Sequence, residues 1–132
     1  MPPMKQFSLP VLLAAAAIAT VAQTAAVTHT VTLTVTYDFT KTPPCSDKVK
    51  KNCVSRIVVY DISAGVSQRR KLATLPVDPK TPAMVQDLTV TTPPLTFEPG
   101  KHLLTAVAET PDNIESNPKM CKTWIEIPPP LQ

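Results

Sequence analysis

From Val27 the chain alternates strictly for eleven residues. Val27, His29, Val31, Leu33, Val35 and Tyr37 share one parity, and Thr28, Thr30, Thr32, Thr34 and Thr36 share the other. A period of two puts each set on one face of a β-strand. Threonine suits the solvent face because its branched Cβ fits the pleat. A helix would smear the same apolar residues around its axis. Residues 27–37 therefore predict a strand with one face turned to a core.

Further strands are marked by shorter runs. Residues 56–62 (Arg-Ile-Val-Val-Tyr-Asp-Ile) are apolar at both parities, as in a central strand covered on both sides. Residues 70–75 are more polar and stop at Pro76, which fits an edge strand. Residues 85–91, 103–109 and 121–127 complete a set of six. Between them lie turn signals: Ser63-Ala64-Gly65, Pro93-Pro94, Pro99-Gly100 and Pro111-Asp112-Asn113. In Pro99-Gly100 the proline presets one turn residue and the glycine accepts a positive φ in the next. Pro128-Pro129-Pro130 cannot extend a ladder and closes the domain. Six short strands without a convincing helix predict an all-β sandwich or barrel.

Composition narrows the class. Among 132 residues are 16 prolines and only 2 glycines, which excludes collagen, and 43% hydrophobic residues argue against a wholly disordered chain. A net charge of +3 is too mild for a nucleic-acid binder. The first 22 residues read as a secretory signal peptide. Lys5 gives the positive start, residues 9–22 the apolar stretch, and Thr20-Val21-Ala22 a small-residue cleavage site, with Ala25 and Ala26 as rival sites. That stretch contains Pro10 and is shorter than the roughly 20 residues of a spanning helix. The expected organisation is a signal peptide over 1–22 and one domain over 23–132. The mature product would have no membrane span and would be secreted, periplasmic or held in the cell envelope.

One region carries a resemblance in wording as well as spacing. Pro99-Gly100-Lys101-His102-Leu103-Leu104-Thr105-Ala106-Val107-Ala108-Glu109, followed by Asp112-Asn113 and Glu115-Ser116, resembles the late strands of bacterial immunoglobulin-like and fibronectin type III-like modules. Residues 56–62, ending in Tyr60-Asp61 before Ile62, look like their central strand. Two features depart from the pattern. The penultimate strand lacks its usual aromatic, having His102 and Leu103, and the Asp-Asn loop has no glycine. A clear first strand is also missing, unless residues 23–26 supply it. The resemblance implies an immunoglobulin-like (fibronectin type III-like) β-sandwich with strands B, C, C′, E, F and G starting at Val27, Arg56, Arg70, Val85, Leu103 and Cys121. It further implies that the loops 38–54 and 110–120 lie at one end. The resemblance implies a non-catalytic structural, adhesion-type or protein-interaction module, with a protein or cell-envelope polysaccharide as partner.

Three cysteines in an exported chain allow one disulfide and one leftover thiol. Cys45 and Cys53 bracket a short loop, and a clip between them is favoured over a bridge from either to Cys121. Cys121 shares a face with Thr123, Ile125 and Ile127 and is expected to point inward. Chemistry has little footing. His29 and His102 lack a flanking catalytic motif, Asp47, Asp61, Asp87 and Glu98 show no pairing, and Asp112, Asn113 and Glu115 supply few oxygens for calcium. No metal, cofactor or enzymatic activity is expected. Trp124 is expected to be half-covered beside Met120. The sharper candidate is a basic tip: Lys48, Lys50 and Lys51 in one loop, with Lys119 and Lys122 bordering the other, form a surface that would attract an anionic polymer. Arg69, Arg70 and Lys71 are expected at the opposite end.

Overall fold

A computed structural model describes residues 17–23, 27–116 and 121–129. Among the described residues, eight strands form two antiparallel four-stranded sheets. In the first sheet β1 (Ala17–Gln23) pairs with β2 (Thr28–Asp38), and β2 pairs on its other side with β5 (Val85–Thr91) and the short β6 (Leu95–Thr96). In the second, the order is β4 (Arg70–Pro76), β3 (Arg56–Asp61), β7 (Gly100–Glu109) and β8 (Lys122–Ile127). The strand pattern predicts an all-β sandwich or barrel, and two antiparallel sheets packed as a sandwich are observed.

The interior follows from the alternation. His29, Val31, Leu33, Val35 and Tyr37 of β2 are buried, while the intervening threonines are only partly covered. Across the interface stand Ile57 and Val59 of β3, Leu104, Ala106 and Ala108 of β7, and Ile125 and Ile127 of β8. Each fully buried leucine or isoleucine there stabilises the fold by about 1.5–3 kcal/mol. Phe39, just past β2, meets the Tyr37 ring edge-on with centroids 4.6 Å apart.

The outer faces differ. On the first sheet, register sets Thr32 opposite Thr91, Thr34 opposite Thr89 and Thr36 opposite Asp87. Their side chains bond across the strands, with Thr36 Oγ1 donating to Asp87 Oδ1 at 2.7 Å. On the second sheet Val58, Tyr60, Ile62 and Val107 form a separate buried cluster, with Val66 and Leu103 packed against it. Val66 belongs to a single 3-10 turn (Val66–Gln68) in the connection that follows β3. This explains why β3 is apolar at both parities: both of its faces are covered.

Turn chemistry holds where it was readable. Gly100 has φ 116° after Pro99, and Gly65 has φ 107°. In the glycine-free Asp112-Asn113 loop, Asn113 itself takes φ 66°. Asparagine is among the few other residues that tolerate this region. β4 and β8 form the two edges of the second sheet, so the edge assignment of 70–75 stands.

Two strands go beyond the six expected. β6 is only two residues long, between Pro94 and Phe97, too short to display a period. β1 supplies the missing first strand, not from residues 23–26 but from residues ending at Gln23. It makes seven register pairs with β2, from Ala17↔Val35 to Gln23↔His29, and Ala19 and Val21 pack against the core. The same residues read in sequence as the end of the leader. The earlier part of the leader, 1–16, and the rival sites Ala25 and Ala26 lie outside the described residues.

Candidate functional site

The connection from β2 to β3 and the one from β7 to β8 meet at one end of the sandwich. Ser55 N and Ser55 Oγ both donate to Glu109 O, at 2.8 and 3.2 Å. Arg56 Nε donates to Glu109 Oε1 at 2.6 Å, and Arg56 Nη2 donates to Asn113 Oδ1. Ser116, fully buried, returns the chain to β7: its amide donates to Ala108 O and its hydroxyl accepts from Ala108 N.

The loop between β2 and β3 is clipped. Cys45 and Cys53 are disulfide-bonded, with Cα atoms 4.9 Å apart. Around the bridge, Cys45 N donates to Val54 O and Val54 N to Pro43 O, so the loop's neck is a short parallel bridge. Within the ring Ser46 caps a turn, its hydroxyl accepting from Lys48 N and Val49 N. By loop-closure entropy such a ring stabilises the fold by roughly 2–3 kcal/mol. Cys121 is a free thiol, fully buried in the main core, and burial pushes its pKa up to about 11. Only the thiolate is nucleophilic, so Cys121 is an inert core residue at neutral pH.

Lys48, Lys50 and Lys51 are all exposed on this clipped loop, and no ion pair among the described residues includes them. Lys41 is exposed just before the ring and went unnoticed in the sequence pattern. Two acidic groups at this end are engaged, Glu109 by Arg56 and Glu115 by Arg69, each at 2.6 Å, while Asp47 is exposed within the same ring and Asp112 in the adjoining loop. Lys122 opens β8, where it pairs with Thr105 and projects from the outer face of the second sheet. Lys119 lies outside the described residues. The structure thus groups three of the five expected lysines on one loop and places Lys122 on a sheet face.

Several expectations are corrected. Arg69 is not confined to the far end. Both terminal nitrogens reach Glu115, at 2.6 and 3.2 Å, and its guanidinium sits 4.2 Å from the centroid of the Tyr60 ring. The connection after β3 folds back over the outer cluster, and this carries Arg69 towards the β7–β8 side. Arg70 does stay near the far end, donating to Thr96 O. Glu115 and Asn113 face Arg69 and Arg56. Trp124 is 63% exposed rather than half-covered. It alternates outward with Lys122 and Glu126 on an edge strand, and Met120 lies outside the described residues.

A polar corner also escaped the sequence. His102 Nδ1 is 2.7 Å from Asp61 Oδ2, and His102 Nε2 is 2.7 Å from Glu98 O. Ser63 donates to Asp61 Oδ1 from its hydroxyl at 2.6 Å and from its amide at 2.9 Å, while accepting from Leu103 N. Burial raises the pKa of Asp61, but the two Ser63 bonds and His102 outweigh it and leave the carboxyl below its ordinary value. Serine, aspartate and histidine are all present, yet the order is wrong for nucleophilic catalysis. The carboxylate stands between the other two, and neither imidazole nitrogen faces the serine hydroxyl. The corner is a splint between β3 and the start of β7.

Comparison of the chain with protein-family models, curated proteins and solved structures gives no match.

Proposed function

We propose that this chain is an exported, non-catalytic immunoglobulin-like (fibronectin type III-like) module that displays loops to a protein partner from a rigid sandwich. The observation that carries the reading is the sheet order. With β2 and β5 read as B and E in one sheet, and β3, β4, β7 and β8 as C, C′, F and G in the other, the order β4-β3-β7-β8 beside β2-β5 supports this reading. The disulfide is compatible with an oxidising compartment, and among the described residues no helix is long and apolar enough to cross a membrane. Fold alone does not choose a task, so the role rests on what the loops offer.

The intact mass of the exported protein tests the first part. Export with cleavage after Ala22 gives a chain that begins at Gln23, keeps only the last residue of β1, and carries one internal disulfide and one free thiol. A chain found only in the cytoplasm with all three thiols reduced would end the reading.

A second reading is favoured by the unpaired lysines of the clipped loop. Lys48, Lys50 and Lys51, with Lys119 and Lys122 nearby in sequence to the adjoining loop, would bind an anionic cell-envelope polysaccharide. Retention on a heparin-like polymer should fall with salt, and should be lost when Lys48, Lys50 and Lys51 are replaced by alanine. Retention that survives the triple replacement removes this reading and leaves the first untouched.

A further inference from the structure

The end of the sandwich opposite the clipped loop is built differently. There β2 begins, β6 runs beside it and β8 ends, and a partly open cavity of about 140 Å³ lies between these elements. Its walls are mostly apolar, from Val27, Phe97, Pro99, Ile127 and Pro128. His29 of β2 also lines it.

His29 is the exception in the inward row of β2. The four inward positions that follow are Val31, Leu33, Val35 and Tyr37, and a valine or leucine would continue the row. His29 is only 6% exposed, and neither Nδ1 nor Nε2 has a hydrogen-bond partner. Buried imidazoles normally find partners, because an unmatched donor or acceptor loses its water without compensation. Here the unmatched group sits at the wall of a cavity.

We propose that this cavity binds a small phenol, a single aromatic ring whose hydroxyl bonds to His29. Size supports one ring, since an apolar protein cavity of roughly 150 Å³ accommodates benzene. Wall chemistry supports an aromatic one, because Phe97, Pro99 and Pro128 offer rings for it to pack against. The hydroxyl follows from the imidazole, which in its neutral form has one donor and one acceptor, as a phenol does. Neither nitrogen faces the cavity in this structure, both being sealed. Binding therefore includes a half-turn of the ring about the Cβ–Cγ bond, a broad torsion, which exchanges each nitrogen with a ring carbon. The site is remote from the lysines, but its wall includes Gln23, the last residue of β1 and the register partner of His29, so it belongs to the full chain that retains β1 and is tested on that chain.

The test compares p-cresol with toluene, which match in ring and methyl group and differ in the hydroxyl. Titration of the purified protein, followed by NMR, should show p-cresol binding about tenfold more tightly, the factor expected of one added hydrogen bond to a buried group. The His29 ring nitrogens and the methyls of Val27 and Ile127 should shift. His29→Phe should bring the two probes to parity. Val27→Trp, at a rim position 61% exposed and so harmless to the core, should exclude both. Equal affinities in the unmodified protein, a preference that survives His29→Phe, shifts that map elsewhere, or no binding of either probe at millimolar concentration would each overturn the proposal.

Discussion

The outward faces of the two sheets meet solvent in opposite ways. On the first, threonines and Asp87 bond side chain to side chain across β2 and β5 and remain partly wet. On the second, Val58, Tyr60, Ile62 and Val107 are sealed beneath the connection that follows β3, and Arg69 lies across the Tyr60 ring. The first sheet buries one face and the second buries part of both. One strand pattern is therefore alternating and the other continuous, though both strands stand at the centre of their sheets.

That contrast can be broken by exchanging the two chemistries. Val58→Thr places a hydroxyl in a fully buried site and should cost about 2 kcal/mol of unfolding free energy in denaturant titration. Loss of the cover is milder. Arg69→Met keeps the apolar stem but removes both the ion pair with Glu115 and the contact with Tyr60, and should cost about 1 kcal/mol, less at high salt.

The corner beside that face adds a pH signature. Asp61 has a folded pKa below its unfolded value, so its contribution is fully present above the unfolded pKa of about 4 and is lost as pH falls through the folded one. Stability measured from pH 5 downward should therefore fall less steeply in Asp61→Asn than in the unmodified protein. An identical acid limb would show that Ser63 and His102 do not favour the carboxylate. The smallest effect belongs to the wet face. Thr34→Val should leave stability within about 0.5 kcal/mol, because it loses only a 3.5 Å hydroxyl contact and keeps the β-branched shape. A large loss there would mean that the hydroxyl row is a structural seam rather than a solvated surface.

What was legible in the sequence was whatever a local period or a turn residue encodes. β2 announced its inward row, β3 its two covered faces and Pro99-Gly100 its turn. The Cys45–Cys53 clip was legible from spacing alone. β1 was hidden because alanine-rich residues at the end of an apolar stretch read as a leader, and only pairing to β2 reveals the strand. The splint of Asp61, Ser63 and His102 joins residues some forty positions apart, and no local motif marks it. Trp124 was misjudged because an edge strand leaves its outward residues without neighbours on one side. Of the basic tip, spacing gave the lysines of the clipped loop, whereas the placement of Lys122 depended on β8 pairing with Thr105.

The register of β2 bears on which length changes the chain can absorb. Side chains on that ribbon alternate, so one inserted or deleted codon midway along it would turn every later inward residue, from valine to Tyr37, out into water and drive threonines into the oil. The clipped loop has no such parity to keep. Variation in length should therefore collect between Asp38 and Arg56 and stop at the ribbon's edge.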